Sequence, residues 1–230
     1  MALPRLFLGA GLLVLTSTLL LAQTDTPCEP STAVPKQSRT DMKHRKPASK
    51  GTHVEQTSIS DVLQFDTPDD IRDKATRTSE SPIDEVEDQA FELEGTLWRV
   101  AKEANDCDYH LELSGLGKGK TAARVIAEIP DDPPYAAARQ ALLTALDPTD
   151  RGKLEGSGNV VLSKPVNLRI TGFAFFDAFH SALSFNPAKP GRCKFTKAQT
   201  LQRGRNHGTC AVGTLWELHP TWKLEVLGTP

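Results

Sequence analysis

"DDPPYAAARQALLTAL", residues 131–146, decides the architecture. Asp132 is a candidate N-cap, and Pro133 and Pro134 fall in the first turn, where a missing N–H costs nothing. Tyr135, Ala138, Leu142, Leu143 and Leu146 recur at helical spacing, so the stretch predicts one amphipathic helix. Three strand-like stretches precede it: "FELEGTLWRVAKE" (91–103), "DYHLELSG" (108–115) and "TAARVIAEIP" (121–130). Two follow it: "PVNLRITGFAFFD" (165–177) and "GTLWELHPTWKLEVL" (213–227). Each alternates in polarity or is rich in β-branched and aromatic residues, with turn chemistry between them. The order β-β-β-α-β-β predicts a mainly β fold with one helix, a five-stranded OB-fold-like Greek-key barrel. Its binding surface lies beside the loops joining strands 1 to 2 and 4 to 5. A small open β-sandwich is the alternative.

The predicted domain occupies residues 90–230. Residues 1–22, "MALPRLFLGAGLLVLTSTLLLA", carry one basic residue and then an apolar run, the layout of a cleaved secretory signal. This predicts a secreted or periplasmic protein with no membrane span after cleavage; an uncleaved anchor is the alternative. Residues 23–89 are rich in Ser, Thr, Pro and charge, with isolated apolar residues and no sustained period. Such a segment reads as a disordered spacer, and Lys43 to Lys46 within it as a solvated basic patch. In an oxidising compartment the four cysteines, Cys28, Cys107, Cys193 and Cys210, predict two disulfides in one of three connectivities. The net charge of −2 points to no partner, because it averages segments of different character.

Ligand-type side chains gather where the predicted topology brings loops together. "NDCDYH" (105–110) places Asp106, Asp108 and His110 at the mouth of the second strand, and "FFDAFH" (175–180) places Asp177 and His180 at the exit of the fourth. In "WELHP" (216–220), Trp216 and Leu218 point one way and Glu217 and His219 the other. Asp106, Asp108, His110 and Asp177 are candidate ligands for a divalent metal ion, with Glu217, His219 or His180 as candidate bases. Read structurally, the same acids are turn formers and the histidines surface or core residues. From Ala178 to Trp216 there is no Asp or Glu, but there are Lys189, Arg192, Lys194, Lys197, Arg203 and Arg205, with Phe185 and Phe195 in the same stretch. Charge interleaved with aromatics suits a polyanion, either single-stranded nucleic acid or an acidic glycan. The candidate ligand-binding residues are Arg192, Lys194, Lys197, Arg203, Arg205 and His207. No G-x-S-x-G, P-loop, H-E-x-x-H or zinc-type Cys/His spacing occurs.

The segments "DCDYHLELSG", "GFAFFDAFH" and "WELHP" resemble those of a group of uncharacterised exported bacterial proteins with D-x-D-x-H, G-x-x-F-x-D-x-x-H and E-L-H-P patterns. The chain is also similar, more weakly, to thermonucleases of the staphylococcal type. That resemblance implies an OB-fold with a calcium site at Asp106 and Asp108 and phosphodiester hydrolysis assisted by Arg124. Tyr109 stands where that family has Thr, and "RVIAEIPDD" lacks the family's spacing of catalytic residues. Three readings stay open: a polyanion-binding domain with a metal or polar site, a metal-dependent phosphodiesterase, and a structural envelope protein.

Overall fold

The structure is a computed structural model that describes residues 39–69, 74–104, 106–178 and 212–230. Six strands form one sheet: β1 (Val54–Gln56), β2 (Ala90–Lys102), β3 (Tyr109–Ser114), β4 (Arg124–Ile129), β5 (Asn159–Phe176) and β6 (Val212–Gly228). Their order is β1-β2-β3-β4-β6-β5, and β2 also pairs with β5. That second pairing, antiparallel from Ala90↔Phe173 to Ala101↔Asn159, closes strands β2 to β6 into a five-stranded barrel. The β4–β6 pair is parallel, with Ile126↔Glu217 in register, and the remaining barrel pairs are antiparallel. This is the OB-type connectivity expected from the helix between the third and fourth barrel strands.

Alternation fills the barrel. Tyr109, Leu111 and Leu113 of β3, Val125, Ala127 and Ile129 of β4, and Trp216 and Leu218 of β6 all enter the core. The helix read at residues 131–146 is present as a short 3-10 turn, Pro133–Tyr135, running into the fourth helix of the chain, α4 (Ala136–Ala145). Tyr135, Ala138, Leu142, Leu143 and Leu146 all join the core. A second ten-residue helix, α5 (Pro148–Ser157), follows it, which the sequence reading passed over because Leu154 is its one core residue. The fourth barrel strand starts at Asn159, not Pro165, so "NVVLSK" belongs to β5.

The three earlier helices are single turns: α1 (Thr40–Lys43), α2 (Ile59–Val62) and α3 (Lys74–Arg77). They lie in the stretch read as spacer, within which Ile59, Val62, Phe65, Ile83 and Val86 pack against the barrel core. The sparse apolar residues there are used efficiently. Ile59 and Val62 are core residues, and α2 begins with a capping box between Ser58 and Asp61. The Phe65 ring packs on Phe91 and Trp216 at 5.6 and 5.8 Å. Arg39 is buried, donating to Glu87 Oε1 and Oε2 at 2.8 and 2.6 Å and to the Phe176 carbonyl at 2.9 Å. Among the described residues no helix is long and apolar enough to cross a membrane. The signal expected at residues 1–22 lies outside the described residues.

Candidate metal centre

Every residue of β3 and β4 is buried, so the outward, polar half of each strand is covered as well as the inward half. On this outer face the hairpin register sets His110 opposite Glu128 and places Glu112 and Arg124 on the same side. The parallel register of β6 brings Glu217 and His219 alongside. Asp108 closes the group from the end of the β2–β3 loop.

Two sub-networks share this face. At one end Glu112 Oε1 accepts from Arg99 Nη1 at 2.6 Å and Oε2 from Arg124 Nη1 at 2.9 Å. His110 Nε2 stands 3.9 Å from Glu112 Oε1. Burial alone would raise the Glu112 carboxyl, but His110 and then Arg99 override it and hold it at about 2. Arg124 is therefore committed to Glu112. His110 also contacts Glu128 Oε1 through Nδ1 at 2.8 Å and so links the two networks.

At the other end lies the centre itself. Asp108, Glu128 and His219 each offer a ligand atom, and these atoms all lie within 4.8 Å of one another. His219 Nδ1 is 3.0 Å from Glu128 Oε2 and 3.7 Å from Glu217 Oε2, while Nε2 is 3.3 Å from Asp108 Oδ2. Asp108 and His219 have 0 % exposure and Glu128 has 5 %. Despite these short separations neither His219 nitrogen nor Asp108 Oδ2 makes a hydrogen bond within the described chain. A buried imidazole normally satisfies both nitrogens. Here they face carboxylates out of line for donation, an arrangement that suits coordination to a shared cation. One imidazole and two carboxylates form a donor set that fits Zn²⁺ or Mn²⁺. His110 against Glu128 supplies the outer contact that orients a ligating carboxylate.

Without a metal the charge is balanced by protons. Burial would lower His219, but Glu128, then Asp108 and Glu217, hold it well above the ordinary imidazole range. Glu128 is held well below the ordinary carboxylate range, because His219 and His110 outweigh its burial. Asp106 is raised by its own burial and by Asp108 and Glu128.

Of the residues singled out from sequence, Asp108 and His219 belong to the group of three. His110 and Glu217 flank it, and Asp106 lies in the adjoining loop, where its Oδ1 accepts from the Asp108 amide at 3.4 Å. Asp177 is buried at the end of β5, with its amide on the Leu215 carbonyl at 2.9 Å. His180, Arg192, Lys194, Lys197, Arg203, Arg205 and His207 lie outside the described residues, as do Cys28, Cys193 and Cys210. The sequence reading missed Glu128. The signal was there: once β3 and β4 are drawn as a hairpin, Glu128 is the outward residue opposite His110.

No protein-family description matches this chain, and comparison with curated proteins and with solved structures finds no match to either.

Proposed function

We propose that this chain is an exported OB-type binding domain. A divalent cation held by Asp108, Glu128 and His219 ties the β2–β3 loop to the barrel wall, and the basic connection between β5 and β6 takes a polyanion. The observation that carries the metal is the buried His219 ring, whose two nitrogens face carboxylates without a hydrogen bond. Export rests on the apolar run at residues 1–22, and polyanion binding on the uninterrupted cations from Lys189 to Arg205. Cys107 sits in the β2–β3 loop with no free thiol, which supports a disulfide there; a partner in Cys193 or Cys210 would tie that loop to the basic connection. The phosphodiesterase reading needs a metal position open to substrate, and the complete burial of Asp108 and His219 works against it.

Calorimetric titration of the full chain with Zn²⁺ and Mn²⁺ tests the metal. Binding by the wild type and its loss in Asp108→Asn and His219→Ala are expected; no heat beyond dilution in the wild type would remove the metal from the reading. A labelled single-stranded oligonucleotide tests the rest, with Arg203→Gln/Arg205→Gln expected to weaken binding and flatten its salt dependence. An affinity indifferent to salt and to that double change would end the polyanion reading.

A further inference from the structure

Asp108 is held by one carboxylate oxygen and left open at the other. Its Oδ1 accepts from the Asp131 amide at 3.2 Å, whereas Oδ2 is buried and makes no hydrogen bond within the described chain. Two imidazole nitrogens stand near that open oxygen: His219 Nε2 at 3.3 Å and, from the stretch read as spacer, His44 Nε2 at 4.0 Å. His219 belongs to the group of three whose ligand atoms meet within 4.8 Å, and His44 stands just outside that group.

What holds His44 there is Asp132, whose Oδ2 lies 2.7 Å from His44 Nδ1. An ionised carboxylate only accepts, so Nδ1 carries the proton of that bond, and a neutral ring keeps its lone pair on Nε2. At 4.0 Å, Nε2 is beyond hydrogen-bond reach of Asp108 whichever form the ring takes. Asp132 forgoes a helix cap to make this contact. It is the N-cap residue of the turn Pro133–Tyr135 that leads into α4, yet its side chain makes no capping bond, although Asp is among the residues best suited to one. A carboxylate on one ring nitrogen is what fixes the tautomer and orientation of a metal-ligating histidine. Asp131 and Asp132 act as a pair, the backbone of one orienting Asp108 and the carboxylate of the other orienting His44.

The backbone around His44 is held, and the side chain has room to turn. Met42 is buried, the Asp41 amide donates to Glu80 Oε2 at 2.9 Å, and the Arg45 carbonyl accepts from the Tyr135 hydroxyl. The His44 side chain is 25 % exposed and that of Asp132 44 %. Ligand atoms about 2.1 Å from a tetrahedral ion stand about 3.4 Å apart. The His219–Asp108 separation of 3.3 Å meets that spacing, and the His44–Asp108 separation of 4.0 Å exceeds it. Joining the other ligands takes a rotation of the His44 ring about its side-chain bonds.

Resting on the metal reading above, we propose that His44 is the fourth ligand of the Asp108–Glu128–His219 centre, held beside it by Asp132 and drawn in when a divalent cation loads. Two imidazoles and two carboxylates fill a tetrahedral shell and leave no position for substrate, as in structural zinc sites. The ion then joins three parts of the chain: the N-terminal segment through His44, the β2–β3 loop through Asp108, and the barrel wall through Glu128 and His219.

The test uses the full chain and the metals alone. Zn²⁺ is titrated calorimetrically into wild type, His44→Ala, Asp132→Asn and Asp108→Asn. Visible absorption of the Co²⁺-loaded protein reports the coordination number, and NMR follows the imidazole nitrogens of the wild type with and without Zn²⁺. We expect Asp132→Asn to weaken Zn²⁺ binding about 10–100-fold and His44→Ala to weaken it at least as much. Co²⁺ should give the strong bands of a four-coordinate site in the wild type and the weaker bands of higher coordination in His44→Ala, where water replaces the imidazole. In the wild type Zn²⁺ should move the His44 Nε2 resonance to a metal-bound shift while Nδ1 keeps its proton. Should Zn²⁺ bind the wild type and be lost in Asp108→Asn while His44 Nε2 keeps its metal-free shift, this inference is overturned and the three-residue site stands. A Co²⁺ spectrum that His44→Ala leaves unchanged overturns it in the same way. Absence of binding by the wild type overturns both. The nitrogen measurement needs no substitution, so a variant that fails to fold does not shelter the proposal.

Discussion

Replacing Glu112 by Gln isolates the electrostatics of the covered barrel face. Glu112 is buried, and its two oxygens accept from Arg99 and Arg124 at 2.6 and 2.9 Å. Two independent routes give the size of the effect. By linkage, a carboxyl lowered from 4.5 to about 2 stabilises the fold by about 3 kcal/mol at neutral pH, at about 1.4 kcal/mol for each tenfold change in proton affinity. By analogy with other buried pairs, removing one partner and stranding the other charge costs about 3–5 kcal/mol. The routes agree, and for a chain of this size the loss corresponds to a fall in Tm of roughly 10 °C. The sign with pH follows from the direction of the shift. A depressed carboxyl contributes stability that is present above its unfolded value and is lost as pH falls through its folded value, here between 4.5 and about 2. Urea unfolding of wild type and Glu112→Gln at pH 7, 4.5 and 3 therefore has a set pattern. The difference is about 3–5 kcal/mol at pH 7, little changed at pH 4.5, and roughly half or less at pH 3. A difference below about 1 kcal/mol at pH 7, or one that does not shrink with acid, would refute the reasoning.

Zn²⁺ at a hundred times its dissociation constant is expected to add about 2.7 kcal/mol to the wild type, a rise in Tm of roughly 5–10 °C, and nothing to Asp108→Asn; differential scanning fluorimetry reads it. His219 is raised in the folded state, so its contribution without metal is full below about pH 6.5 and declines as pH rises through the folded value. His219→Gln should flatten that alkaline decline, whereas Zn²⁺ affinity in the wild type should climb over the same range, because the proton must leave before the metal binds. Arg39→Met strands the fully buried Glu87 and is expected to cost about 3–5 kcal/mol in urea unfolding; a loss under about 1 kcal/mol would mean that residues 39–69 are not part of the cooperative fold. In Gly95→Ala the new Cβ would meet Ile59 Cδ1 at 2.7 Å and the Ser114 carbonyl oxygen at 2.8 Å, which should cost about 1–3 kcal/mol.

The barrel was legible because its signals are local. The proline-started helix at residues 131–146 and the alternation of Trp216 and Leu218 against Glu217 and His219 follow from backbone periodicity, and the fold keeps both. The centre was half legible. Asp108 and His219 stand out as ligand types beside turns and strand ends, whereas Glu128 sits in "RVIAEIP" as a strand's polar face would in water. That the face is covered depends on contacts far apart in sequence, which alternation does not encode. Residues 39–69 were hidden for the same reason. Ile59, Val62 and Phe65 are too few to show a period, and their burial is argued only by the barrel wall they meet. Lys43 was the least visible, since a lysine in a basic run is normally solvated, and this one is buried.

An OB barrel packs its inside with apolar side chains and offers the outside of its second and third strands to ligands. In this chain those strands are β3 and β4, and their outer face is filled by the chain's own charges. The question that face poses is how its excess acid is balanced. A buried carboxylate is tolerated only with a partner, and Glu112 accepts from two arginines, with His110 3.9 Å away. Glu128 is met by His110 at 2.8 Å and His219 at 3.0 Å, and the His219 imidazolium can be exchanged by losing its proton. An acid held by exchangeable cations is a site where a divalent ion replaces several weak partners at once, and one held by arginines is not. The guanidinium-bound end at Glu112 should therefore be insensitive to metal, and the imidazole-bound end at Glu128 responsive to it. Adding Zn²⁺ should leave the cost of Glu112→Gln unchanged and alter that of Glu128→Gln. A cost of Glu128→Gln that does not move with Zn²⁺ would place the balance in protons alone.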